Sequence, residues 1–221
     1  MCGIHLFEII FTSVFRYKKI QISNFKLQFF VCSNSDRKIQ VKYSHSNLIA
    51  QIQQSSIQKV IFISSTSVYP RINKVMTEEN EVVKNHPLVA IENLFRKNTF
   101  FETTIIRFAG LFGGERQPAN WFKNGRKIPQ PKGFVNMIHQ EDCINIIHEI
   151  INQNCWNQVF NACSNHHPTR REFYTIAKLS KGFEVPEFKE NEVYEWKIIS
   201  SKKVQEVLNY KFIHDDLLKP L

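Results

Sequence analysis

Four small hydroxyl residues stand in a row, Ser64, Ser65, Thr66 and Ser67, with Tyr69 close behind. They follow the apolar run KVIFIS at Lys59 to Ser64. Such hydroxyls can hydrogen-bond a ligand, or they can satisfy backbone groups where a strand ends. Arg107 ends a second apolar run, TTIIRF, and either faces an anion or caps its strand. Asp142 opens the amphipathic segment EDCINIIHEII and is expected to cap that helix through backbone N–H groups. The five cysteines, Cys2, Cys32, Cys143, Cys155 and Cys163, are odd in number and form no C-x-x-C. They read as buried, reduced thiols of a cytoplasmic chain. His166 and His167 are adjacent and so project apart, and no metal site is expected.

The elements that must position these groups alternate. KVIFIS, TTIIRF and the run from Asn157 to Ala162 are continuous apolar stretches, the sign of strands buried on both faces of a parallel sheet. Helices are expected over 44–57, 88–97, 141–151 and 169–178. The last opens with a capping box, Thr169 and Glu172. Residues 197–210 read as strand, serine cap and helix. Residues 6–32 are β-rich, with FKLQFFV the strand that leads into the first helix. The fold class is therefore α/β: a partial Rossmann-like parallel sheet flanked by helices, with a small C-terminal subdomain. In such sheets the working groups lie at the carboxyl ends of the strands, which places Ser64 to Tyr69 at a site by topology alone.

Composition narrows the function. Glycine contributes seven residues of 221, and the first 109 hold only Gly3. That excludes an intact glycine-rich phosphate loop near the N-terminus. The net charge is +9, and residues 1–60 carry eight basic side chains against Glu8 and Asp36. Such a balance suits a nucleic-acid partner, but no basic face interleaved with aromatics accompanies it. Biased composition, rich in Lys, Asn, Ile and Phe, explains it better. The apolar N-terminal run precedes its positive charges, the reverse of a signal peptide, and is too short to span a bilayer. No membrane partner is expected.

Four segments in order then resemble one family. VIFISSTSVYP at Val60 to Pro70, IIRFAGLFGGERQP at Ile105 to Pro118, FVNMIHQEDC at Phe134 to Cys143 and VFNACSNHHPTRREFY at Val159 to Tyr174 are similar to the extended and atypical short-chain dehydrogenase/reductases, the NAD-dependent epimerase/dehydratase family. The resemblance runs from about residue 42 to the C-terminus. It implies NAD or NADP as cofactor, a nucleotide sugar as ligand, and hydride transfer at a sugar carbon. In that family a tyrosine exchanges the hydroxyl proton and a lysine four residues later lowers its pKa. A lone tyrosine near pKa 10 is a poor base at neutral pH. Ser65, four before Tyr69, takes the place of the family's substrate-binding serine or threonine, with a catalytic role implied. Ser64 and Ser65 are the residues nearest a cofactor. Tyr69, Arg107, Arg116 and Trp121 would line the substrate cleft.

Two of the family's devices are missing. The tyrosine slot falls near Lys84 and the lysine slot near Leu88, and NEVVKNHPLVAIEN contains no tyrosine. The opening strand, glycine turn and helix also find no counterpart, so residues 1–42 are read as an unplaced basic, β-rich segment ahead of an epimerase/dehydratase-like domain over 43–221. A truncated or frame-shifted reading frame would account for it. The expected function is an NAD(P)-dependent nucleotide-sugar epimerase/dehydratase-like protein with impaired or absent cofactor binding. The alternatives are a catalytically inactive relative acting as a binding module, and nucleic-acid binding through the basic N-terminus. A sheet lacking its first half would expose an edge open to self-association, with residues 1–31 expected to cover it as a hairpin.

Overall fold

A computed structural model describes residues 7–12, 27–32, 38–122, 124–190 and 195–219, with side chains from His45 onward. The chain divides into two compact units. The first comprises Met1–Val68, Val82–Arg107 and Asn154–Phe160, and the second Tyr69–Glu81, Phe108–Gln153 and Asn161–Leu221.

The first unit is built on a sheet of β1 (Phe7–Thr12), β2 (Leu27–Cys32), β3 (Lys59–Ser65), β5 (Glu102–Phe108) and β8 (Val159–Ala162). The order across the sheet is β2-β1-β3-β5-β8. Numbered along the sheet strands alone, that is 2-1-3-4-5, the doubly wound order whose connections reverse direction between β1 and β3. β1 runs parallel to both neighbours, with Ile9 opposite Phe29 on one side and Ile61 on the other. Among the described residues β1 and β2 therefore form no hairpin, because a hairpin pairs its strands antiparallel. Instead β1 supplies the pairing that β3 needs, and β2 takes the edge. The KIQI stretch at 19–22 lies outside the described residues.

The sheet's helices are α1 (Lys38–Gln53) and α2 (Pro87–Arg96). α1 begins six residues earlier than its apolar spacing suggested and ends four earlier. Leu48, Ile49 and Ile52 on α1 pack with Val60 and Phe62 of β3 and with Ile91 and Phe95 of α2. Phe62 and Phe95 stack at 4.9 Å. This explains why β3 is apolar throughout: Val60 to Ser64 are all buried.

The second unit holds two small parallel pairs. β4 (Lys74–Met76) pairs with β9 (Lys197–Ile199), and β6 (Gly110–Phe112) with β7 (Met137–His139). Around them lie α3 (Gln140–Asn152), α4 (Arg170–Leu179) and α5 (Lys202–Leu208). The core gathers Phe112, Ile128, Val135, Met137, Phe173 and Tyr174. The capping box is present: the Thr169 side chain accepts from Glu172 N, and the Glu172 carboxylate accepts from Thr169 N at 2.8 Å. Ser201, at the N-cap of α5, makes no side-chain cap. Its hydroxyl is buried and joined to Cys163, accepting from N at 2.8 Å and donating to O at 2.7 Å. Cys143 and Cys163 are buried free thiols, and burial pushes both far above their ordinary pKa. No described helix is long and apolar enough to cross a membrane.

Candidate functional site

In the first unit, the carboxyl ends of β1 and β3 flank the point where the winding reverses. Ser64 and Ser65 are the last residues of β3 and lie at that end. The two serines point to different partners. Ser64 is buried and its hydroxyl donates to Glu92 Oε1 at 2.5 Å. Ser65 is partly exposed, and its Oγ accepts from Ser67 N at 3.1 Å, closing the turn into the short 3-10 helix Thr66–Val68.

Arg107 does face an anion, and that anion belongs to the chain. Its Nε donates to Glu92 Oε1 at 3.0 Å and its Nη2 to Oε2 at 2.6 Å. Both side chains are almost wholly buried, 4% and 2% exposed. A bidentate guanidinium–carboxylate pair of this kind fixes geometry as well as charge. Glu92 on α2 thus gathers Ser64 from β3 and Arg107 from β5 into one buried polar cluster.

At the head of α2, His86 occupies the N-cap. Its Nδ1 accepts from Leu88 N at 3.2 Å and its Nε2 lies 3.5 Å from Ser67 Oγ. With Nδ1 accepting, a neutral ring carries its proton on Nε2, the nitrogen that faces Ser67 Oγ. Lys84, in the tyrosine slot of the resemblance, is exposed, and Leu88 is partly buried.

In the second unit, Tyr69 is 2% exposed and its hydroxyl donates to Asn161 Oδ1 at 2.9 Å. Asn161 is fully buried, its N–H donates to Glu78 Oε1 at 2.6 Å, and its Nδ2 has no hydrogen-bond partner among the described residues. Lys197 Nζ donates to the Tyr69 carbonyl at 2.5 Å. Burial and then the Arg71 charge lower the Lys197 pKa to about 8. Arg116 is exposed and donates from Nε to Leu111 O at 3.2 Å. Trp121 is partly buried, its ring 6.3 Å from that of Tyr174.

Asp142 does accept backbone N–H groups, but not those of its own helix. His139 takes the N-cap of α3 instead. Buried Asp142 holds the C-terminal segment, accepting from Tyr210 Oη at 2.7 Å, Ile213 N at 2.8 Å and His214 N at 3.1 Å. No sequence spacing announces this, since the partners lie about 70 residues away.

The glycines test the fit of a dinucleotide. In this fold the pyrophosphate rests on a glycine turn after the first strand, where the backbone must come close. No glycine stands between Gly3 and Gly110. Gly113 and Gly114 have positive φ, but a Cβ there would collide with the side chains of His139 and Gln140. Their close approach is to this chain itself. The residues present do not fit the cradle, and no chemical step is derived through a nicotinamide cofactor.

Comparisons with known proteins agree with the fold. The chain is 30% identical over 171 residues to Protein YeeZ of Escherichia coli K12, covering 75% of this chain. It spans 62% of the length of that relative. Among solved structures, UDP-N-acetylglucosamine 4-epimerase from Bacillus cereus superimposes with a TM-score of 0.71 at 11% identity, covering 98% of this chain and 93% of that one. UDP-glucuronic acid 4-epimerase from Bacillus cereus, solved with NAD, gives 0.70 at 14% identity, covering 88% and 71%. A protein of unknown function from Silicibacter pomeroyi gives 0.71 at 17%, covering 91% and 77%. No protein-family model matches the chain. The chain has the fold of the NAD-dependent epimerases and dehydratases, as the four sequence segments led one to expect.

Proposed function

We propose that this chain is a nucleotide-sugar epimerase/dehydratase-like protein whose dinucleotide affinity is lost or severely weakened. It binds a nucleotide sugar or a related small polar ligand, with little or no hydride transfer. The observation that carries this reading is the winding reversal between β1 and β3, with Ser65 at its carboxyl end and no glycine turn to hold a pyrophosphate. NAD in a solved relative of the same fold supports the ancestry of the site. The buried cluster of Ser64, Glu92 and Arg107 is spent on holding α2 to the sheet. Within the first unit Ser65, partly exposed at the strand end, is a hydroxyl for a ligand oxygen.

The second unit has its own support. The Asn161 amide is a buried donor without a partner among the described residues, beside the Tyr69 hydroxyl. Such a group costs about 1–3 kcal/mol unless an oxygen reaches it. Tyr69 and Asn161 are accordingly assigned to ligand binding, and Arg116 and Trp121 to the polar and stacking contacts of the same unit. The chain is placed in the cytoplasm, in keeping with its free thiols.

Isothermal calorimetry tests the reading with UDP-glucose, NAD and NADP as titrants. Saturable heat with the sugar nucleotide and none with either dinucleotide at millimolar concentration is the expected result. Robust epimerase, dehydratase or dehydrogenase turnover by the pure chain would overturn it.

A further inference from the structure

We propose that His139, Glu141 and His214 bind a divalent transition-metal ion. All three belong to the second unit, and one ligand atom from each lies within 4.8 Å of the other two. Two imidazoles and a carboxylate are a donor set that zinc and its neighbours accept, with water completing the shell.

The fold brings the three together by separate devices. Pairing of β6 with β7 sets Phe112 opposite His139, and the two rings meet edge-on at 5.1 Å. Gly113 follows with no side chain, and only that absence leaves room for the His139 ring. Glu141 is the second residue of α3. Its Oε2 lies 2.8 Å from His214 Nε2. Asp142, buried one residue further on, fixes the His214 backbone. A carboxylate that orients the segment bearing a ligand histidine is the kind of supporting contact that metal sites carry.

The two imidazole rings have centroids 3.7 Å apart and are tilted by 40°, and the His139 Nδ1 cap on Glu141 N is long, 3.3 Å. Ligation exchanges that weak cap for a bond to the ion and requires a small rotation of His214, which is only partly buried. A cation at a helix N-terminus opposes the helix dipole, and Glu141 and Asp142 in the first turn offset that repulsion. His214 lies 73 residues from Glu141, so no ligand spacing in the sequence marks the site.

The test is calorimetric titration of the full chain with Zn²⁺, and with Co²⁺ while following its visible absorption bands. The expected result is one saturable equivalent, with the cobalt spectrum of a four- or five-coordinate site. His214→Ala and Glu141→Gln, both at solvent-accessible positions, are each expected to weaken binding by about tenfold or more. His166→Ala, beside Asp216 and outside the cluster, should leave binding unchanged. Absence of saturable binding by the parent chain overturns the proposal. So does a His214→Ala variant that binds as tightly as the parent, or an effect of equal size from His166→Ala.

Discussion

At the scale of single residues, the chain spends its strongest electrostatics on structure. Glu92 and Arg107 are a buried pair, and their value depends on both being present. Glu92→Gln leaves a guanidinium buried without its counter-charge, so it should cost roughly 3–5 kcal/mol in urea unfolding. Replacing both, as Glu92→Leu with Arg107→Met, should cost less than that single change. Lys197 makes a different prediction. Its amine is lowered from 10.5 to about 8 by burial and by Arg71. The fold therefore disfavours the charged form, and between those values the unfolded chain holds the extra proton. Stability should rise as pH climbs from about 8 towards 10.5. Lys197→Met should flatten that rise in melting curves recorded across the window.

At the scale of elements, what could be read from sequence was what local physics decides. The α4 helix was legible because Thr169 and Glu172 cap it before any tertiary contact forms. Thr169→Ala should lower stability by about 1 kcal/mol in thermal melts. β3 was legible because Val60 to Ser64 must be buried on both faces, and the run admits no polar side. Other elements could not be read this way. β4 is three residues long and exists only because Lys74 to Met76 lie against Lys197 to Ile199. Asp142 looked like a helix cap, a role that sequence position permits, and was drawn instead to Tyr210, Ile213 and His214. The turn after β6 needs Gly113, whose φ of 103° and contact with the His139 ring exclude a side chain. Gly113→Ala should cost upwards of about 1 kcal/mol and be measurable as a lowered unfolding midpoint.

At the scale of the whole molecule, the N-terminal segment changes the meaning of the glycine shortage. A fold without its first strands would leave one edge of β3 open, yet β1 and β2 fill both positions in parallel. What the sequence between them lacks is a glycine. β2 ends the sheet order, and an apolar edge strand is a template for another chain. Concentration-dependent self-association, followed by light scattering, is the expected consequence, and salt should change it little. Sequence alone determined the fold class, the three buried apolar strands, the capping box and the missing glycines, because each follows from residues near one another along the chain. Only the tertiary structure decided that Arg107 is answered by Glu92, that Asn161 holds an open donor beside Tyr69, and that His139, Glu141 and His214 converge. Those pairings span 15 to 92 residues for Arg107 with Glu92, Tyr69 with Asn161 and Glu141 with His214, and no local pattern encodes them.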